Sequence, residues 1–262
     1  MRPEWRKAAG LWPVDLAQDP NLRKSFDVLR KKWGEVPYEQ SGRRKSADLL
    51  RLSDSEVIEQ WEVCYQGAST GKAFSVRGWY QTIYRDVFRG KKVLDVGCGL
   101  APDTVHYAEH GARVTFLDVV ESNIGFVERV CHIKGIENTT FCYMRDLDSL
   151  RPLPADYDAI YCCGTLIHAP LEVARMEAQA LLRHLPVGGR WIELGYPKAR
   201  WEREGRMIET EWGSRTEGGA PWVEWHDPLK LDYMLAPATF DTVLYLEFHE
   251  SDFNWFDLVR RA

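Results

Sequence analysis

Two glycines separated by one residue, Gly97 and Gly99, follow an apolar run that carries an acid, Val93-Leu94-Asp95-Val96. A second apolar run, Ala112-Arg113-Val114-Thr115-Phe116-Leu117, ends in Asp118. These residue types at this spacing suit a nucleotide pocket. Glycine takes positive φ without penalty and lets the backbone approach a ligand closely. A carboxylate at the tip of the next strand accepts two hydrogen bonds from a ribose diol. Two further residues could do chemistry. His168, in Gly164-Thr165-Leu166-Ile167-His168-Ala169-Pro170, is placed to take a proton, or only to bond the adjoining loop. Glu193 could pair with a cationic ligand, or only with a neighbouring helix or loop. His226, in Trp225-His226-Asp227-Pro228, reads as a surface turn, and the other histidines suggest no chemistry. No cluster of His, Cys, Asp and Glu has metal-ligand spacing, so no metal is expected.

The elements that must position these residues follow from periodicity. Strands are predicted at 92–96, 112–118, 139–143, 157–163 and 189–194, with helices at 103–110, 121–133 and 171–185. Such alternation implies a mostly parallel sheet with helices on both faces. Before it, Ser53 and Glu56 form a capping-box pattern that starts one helix. Apolar residues at spacings of three and four predict another helix over 76–88. Residues 1–52 read as helical and irregular, broken by Pro13, Pro20 and Pro37, with a loop at Ser41–Ser46. The segment 197–235 breaks the rhythm and reads as an insertion rich in Trp and acids. Two extended runs, 242–248 and 254–259, close the chain as an antiparallel pair at a sheet edge.

Composition bounds the class. A chain of 262 residues with 45% hydrophobic content suits one large α/β domain with additions. The net charge of −5 argues against a nucleic-acid partner. The charge is uneven: residues 1–51 hold 12 Lys and Arg against 7 Asp and Glu, a net of +5. That basic stretch reads as a solvated helical face or as a cap over an anionic ligand. No apolar run is long enough to span a membrane. The start lacks a signal-peptide core, and the six cysteines show no CxxC spacing. A reduced, cytoplasmic protein is expected.

Together these motifs resemble the class I methyltransferases that use S-adenosylmethionine. The resemblance covers residues 76–196 by motif and the last two strands by topology. Val93-Leu94-Asp95-Val96-Gly97-Cys98-Gly99 matches the family's first motif, and Asp118 stands where its ribose-binding acid stands. Arg145-Asp146-Leu147 matches the place where an acid accepts from the adenine amino group. Tyr157 to Gly164 matches the fourth-strand motif, and Leu182 to Gly189 the following turn, with Val187 inserted. Ala101 stands where a third glycine is common. The residues agree with this family over a dinucleotide enzyme. Pro102 takes the third glycine position of G-x-G-x-x-G, and Asp95 would repel a pyrophosphate but suit a cationic amino group.

The resemblance implies an α/β, Rossmann-like, seven-stranded, mostly parallel sheet with an antiparallel C-terminal strand, helices on both faces and an N-terminal helical extension. It implies a cap over 1–75 and a cofactor domain over 76–262 that carries the insertion at about 197–235. Its cofactor would be S-adenosylmethionine, held by Asp95, Gly97, Cys98, Gly99, Asp118, Val119, Asp146, Leu147 and Cys163. The helix before the first motif often caps the cofactor in this family, which brings in Arg77, Trp79 and Tyr80, although core packing also explains the two rings. Trp79, Tyr80, His168 and Glu193 are the acceptor-side residues, with His168 as base if the acceptor is protonated. Residues 193–262 hold 14 acids against 8 bases and five of the eleven tryptophans. That mixture points to a small cationic or sugar-like acceptor, such as an amine or amino sugar of bacterial secondary metabolism, including antibiotic biosynthesis. Two other readings stay open: an RNA or protein methyltransferase using the basic N-terminal stretch, and a non-catalytic binding subunit with the cofactor fold. The oligomeric state is not legible.

Overall fold

The computed structural model describes residues 20–38, 42–216 and 219–262. In chain order the first part holds helix α1 (Pro20–Trp33), strands β1 (Glu35–Tyr38) and β2 (Gly42–Lys45), then α2 (Ser46–Leu49), α3 (Asp54–Ser69) and α4 (Gly78–Val87). The alternating part follows: β3 (Lys92–Val96), α5 (Pro102–Glu109), β4 (Arg113–Asp118), α6 (Glu121–Ile133), β5 (Thr139–Tyr143), β6 (Ala159–Cys163), α7 (Leu171–Leu181) and β7 (Arg190–Gly195). The chain ends with α8 (Lys198–Arg203), α9 (Glu209–Arg215), α10 (Pro228–Leu235), β8 (Phe240–Phe248) and β9 (Phe253–Arg260).

Seven strands form one sheet in the order β5-β4-β3-β6-β7-β9-β8. All neighbours from β5 to β7 pair in parallel, and β9 lies antiparallel between β7 and β8. The sheet reverses its winding at β3, between β4 and β6. In open α/β sheets ligands bind at the carboxyl ends of the strands flanking such a point. Side chains alternate between two cores. Leu94, Val96, Ile160, Cys162 and Trp191 face Phe26 and Leu29 of α1, α7 and α10. Val93, Phe116, Tyr161, Ile192 and Trp255 face α3, α4, α5 and α6. Strands covered on both faces carry near-continuous apolar runs, which is why they were legible.

Local chemistry sets the ends of the elements. Ser53 caps α3 through the reciprocal box with Glu56 that the sequence predicted. The last turn of the helix predicted to reach residue 185 tightens into a 3-10 turn after Leu181. The strand predicted from 157 begins at Ala159. The N-terminal expectation needs correction. Where a loop was read over Ser41–Ser46, Gly42–Lys45 pairs antiparallel with Glu35–Tyr38. Val36 is buried, while Gly42-Arg43-Arg44-Lys45 is polar, so no apolar alternation betrayed the second strand. Pro13, and with it Arg2, Arg6 and Lys7 of the basic stretch, lies outside the described residues. The segment 197–235 builds a small core of its own, in which Trp212, Ala220 and Val223 pack on Ile167 and Tyr196.

Glu177 on α7 is a buried carboxyl in the first core. Burial, aided by the charge of Asp118, lifts it from 4.5 to about 7. Between those values the folded chain binds a proton more tightly than the unfolded chain, so stability is full below 4.5 and is lost as pH rises through about 7. Glu177→Gln is therefore expected to melt higher than the parent chain at about pH 8, with the gap closing below about pH 5. Urea unfolding of both chains across that range checks it, and a gap that does not change with pH would refute it.

Candidate cofactor and acceptor site

β3 runs directly into the glycine turn. Gly97 has φ +67°, and its amide and that of Cys98 both donate to the carbonyl of Leu117, at 2.7 and 3.1 Å. A Cβ on Gly97 would collide with the side chain of Thr165, whose hydroxyl donates to the carbonyl of Val96 at 2.7 Å. Glycine is thus required there for both angle and space. Gly99 has φ +56° and Gly164 has φ +68°, and a Cβ on either would meet nothing within 4 Å. Both therefore present bare backbone to an open cradle. Ala101 occupies the left-handed region at φ 51°, ahead of Pro102 at the start of α5. The missing third glycine thus has a cost, of about 1–2 kcal/mol.

Asp118 ties the turn to the next strand. One carboxylate oxygen accepts from Gly99 N at 2.8 Å and the other from Val120 N at 2.7 Å. Burial raises its pKa, and the two amides oppose that rise. The Asn123 side chain is a third donor to it, and of the roughly four acceptor sites of a carboxylate this leaves one for a ribose hydroxyl. Val119 follows it, half-buried. Asp95 is placed differently from the expected partner of a cationic group. It is buried and accepts from the Thr104 hydroxyl of α5, and burial pushes its pKa well above the carboxylate range. Its work is to hold α5 against β3 beneath the turn. Across the cradle, Asp146 accepts from Ser149 N at 3.2 Å, and Leu147 beside it is buried. Cys163 ends β6 with its sulfur 3.4 Å from the Tyr80 hydroxyl, and burial lifts the thiol to about 12.

α1 lies over this end of the sheet. The carbonyl of Trp33 accepts from Asn123 Nδ2 at 3.4 Å, and Arg30 donates to the carbonyl of Arg145 at 2.9 Å. The ring of Trp33 packs against His168, centroids 4.6 Å apart, and Tyr196 meets His168 edge-on at 6.4 Å. His168 is thus buried between the cap, the β6 loop and the end of β7. Trp79 and Tyr80 pack on the sheet. Tyr80 stacks on Trp255 at 4.4 Å, and Trp79 meets Phe248 and Trp255 edge-on. Arg77, the residue before α4, has a half-exposed side chain beside a buried polar group. Asp103 on α5 accepts from Gln81 Nε2 at 2.5 Å and from the Tyr161 hydroxyl at 3.0 Å, and lies 3.8 Å from Arg77 Nη1. Asp103, Gln81 and Tyr161 were missed by sequence reasoning. The one available signal was an acid in the first turn after the glycines.

Glu193 does not reach an acceptor directly. It is fully buried, accepts from Trp191 Nε1 at 3.0 Å and pairs with His226 Nδ1. His226 corrects its reading as a surface turn, since it too is fully buried. Backbone bonds fix its segment over the strand ends: Glu224 N donates to the Ile167 carbonyl at 2.7 Å and His226 N to that of Tyr196 at 2.9 Å. Asn254 Nδ2 donates to the His226 carbonyl at 2.7 Å.

A family model for a methyltransferase domain matches residues 93–189, the stretch from the first glycine strand to the turn before β7. Residues 93–189 form a class I methyltransferase domain. The ubiquinone biosynthesis O-methyltransferase of Xylella fastidiosa (strain M23) is 36% identical over 104 residues, covering 38% of this chain and 40% of that protein. The enzyme of the same name from Bordetella parapertussis is 30% identical over 118 residues, covering 44% and 46%. The chain therefore matches less than half the length of these curated relatives. Its fold is similar to that of magnesium protoporphyrin IX methyltransferase from Synechocystis PCC 6803, solved with bound S-adenosylhomocysteine (TM-score 0.54, 20% identity, 80% of this chain and 96% of that one). It is also similar to that of the N-methyltransferase NodS from Bradyrhizobium japonicum WM9 (TM-score 0.51, 17% identity, 70% and 86%). The cofactor of the class is S-adenosylmethionine, and the open glycine cradle next to a carboxylate with a spare acceptor site fits it. No helix among the described residues is long and apolar enough to cross a membrane.

Gly97→Ala should force the turn out of shape against Thr165. We expect S-adenosylhomocysteine binding to weaken by roughly tenfold or more, measured by calorimetry. Adding Thr165→Ser, which removes the colliding methyl group, should restore part of the loss. No recovery in the double variant would show that the collision is not the cause.

Proposed function

We propose that the chain transfers a methyl group from S-adenosylmethionine to a small-molecule acceptor. The observation that carries this reading is the cradle at Gly99 and Gly164, which lies open beside the Asp118 carboxylate. In this reading Asp118 receives a ribose hydroxyl, Gly97, Cys98 and Gly99 pass the backbone under the ligand, and Val119, Asp146 and Leu147 flank the adenine. Cys163 and Gly164 border the reacting end. When bound, S-adenosylmethionine supplies a methyl group on a sulfonium, ready for in-line displacement. The protein's own contribution is position and dryness. Residues 1–75 serve as the cap and 76–262 as the body. The described part of the cap, above all Trp33, closes over His168 and keeps water out.

The acceptor atom we favour is the oxygen of a hydroxyl-bearing molecule. The curated relatives with the matching glycine region are O-methyltransferases by name. Glu193, the candidate partner for a protonated amine, is fully buried with both oxygens engaged. A hydroxyl must lose its proton as the methyl group arrives, and His168 is the residue we assign to receive it. A second reading, N-methylation of an amine or amino sugar of secondary metabolism, draws support from the aromatic insertion. There Lys230 sits 3.5 Å over the Trp225 ring, a surface that already accommodates a cation.

Turnover to S-adenosylhomocysteine, followed by mass spectrometry over a panel of phenols, alcohols and amines, tests the function. A wild-type chain that neither binds the cofactor product nor turns over any member would overturn it. Asp118→Ala is expected to weaken S-adenosylhomocysteine binding by about 1–3 kcal/mol, since charged hydrogen bonds are lost. Unchanged affinity in a folded variant would remove that role. His168→Ala should lower turnover about 10²-fold while leaving cofactor affinity intact. Full turnover in this variant would dismiss it as the base.

A further inference from the structure

The buried polar group around Asp103 has no part in the reading above. Asp103 is 4% exposed, Gln81 2% and Tyr161 1%. Burying a carboxylate is costly unless it is bonded and paired. Here Oδ1 accepts from Gln81 Nε2 at 2.5 Å, and Oδ2 accepts from the Tyr161 hydroxyl at 3.0 Å and faces Arg77 Nη1 at 3.8 Å. Three elements converge on one carboxylate: the start of α4, the start of α5 and strand β6. Arg77 differs from the other members. Its side chain is 38% exposed, and among the described residues it pairs with no second carboxylate. A guanidinium carries five N–H donors in a rigid plane, and contact through Nη1 leaves the others directed outward.

The outward side has a defined place. Asp103 stands four residues after Gly99, and Tyr161 two residues before Cys163 on the same strand face. Tyr80, three residues after Arg77, touches the Cys163 sulfur at 3.4 Å. Arg77 stands beside Asp103 and close to Cys163, and so on the side of the cradle where β6 runs into Gly164. A long arginine side chain loses much rotamer freedom when it is fixed. Fixing it before the ligand arrives removes that cost from binding.

We propose that Asp103, braced by Gln81 and Tyr161, is a positioning residue that holds the Arg77 guanidinium ready for the carboxylate at the amino-acid end of the methyl donor. The inference rests on the methyl-donor reading of the cradle. It assigns Asp103 no contact with the ligand. Asp103 acts through Arg77, by setting the direction of its donors.

Calorimetry on the full chain separates this from a merely structural role, using two probes. S-adenosylhomocysteine carries the amino-acid end, whereas 5′-methylthioadenosine keeps the nucleoside and thioether without it. Asp103→Asn is expected to weaken the first roughly tenfold and to leave the second within about twofold. Arg77→Gln should show the same split, and the double variant should be no weaker than Arg77→Gln alone. Tyr161→Phe removes one bond to Asp103 at nearly constant volume, and should show a smaller split in the same sense, about threefold. It decides the matter if Asp103→Asn fails to fold. Equal losses for both probes, or no loss for either, would overturn the proposal. A wild-type chain that binds neither probe would overturn the methyl-donor reading itself and this inference with it, an outcome distinct from equal losses.

Discussion

The carboxylate of Asp118 is the constraint on which the site depends. It joins the tip of β4 to the turn after β3 through Gly99 N and to the start of α6 through Val120 N. Neighbouring parallel strands are held along their length by backbone bonds, but their ends splay into loops. One buried acid with two amide partners stops that splay where a ligand would enter. With the Asn123 side chain as a third donor, the same geometry still leaves acceptor capacity on the carboxylate. Burial raises the pKa of this acid, so its amide partners are what keep it a fixed acceptor.

A second layer of polar groups sits beneath the first and does mechanical work. Asp95 clamps α5 through Thr104, Thr165 packs against Gly97, and Asp103 gathers α4, α5 and β6. Glu193 and His226 do likewise for the C-terminal half. Asp95, Asp103 and Glu193 are each a buried acid with at least one designated donor, as a low-dielectric interior requires. The open surface is left to glycine backbone and aromatic rings.

How much of this was legible depended on range. The sheet was legible because strands buried on both faces carry near-continuous apolar runs, as in Val93-Leu94 and Phe116-Leu117. The glycine turn was legible because its partners are close in sequence. The β1–β2 hairpin was not, since its second strand, Gly42-Arg43-Arg44-Lys45, is polar throughout. His226 was hidden for another reason. Flanked by Asp227 and Pro228 it has the composition of a turn, and its partner lies 33 positions away. Asp103 and Gln81, 22 positions apart, look like ordinary helix surface until two helices cross. Long-range polar pairs leave no periodic trace in a chain.

The backbone bonds from Glu224 to Ile167 and from His226 to Tyr196 fix both flanks of the segment between β7 and α10. Between those anchors the chain has its own small core around Trp212 and Val223. Such a segment behaves as a cassette. Its interior can drift, lengthen or be exchanged through evolution while its two attachment points keep the same register on the strand ends. On the proposed methyl-transfer reading, transplanting residues 198–222 between related chains is a rational way to exchange one wall of the acceptor side without disturbing the donor half.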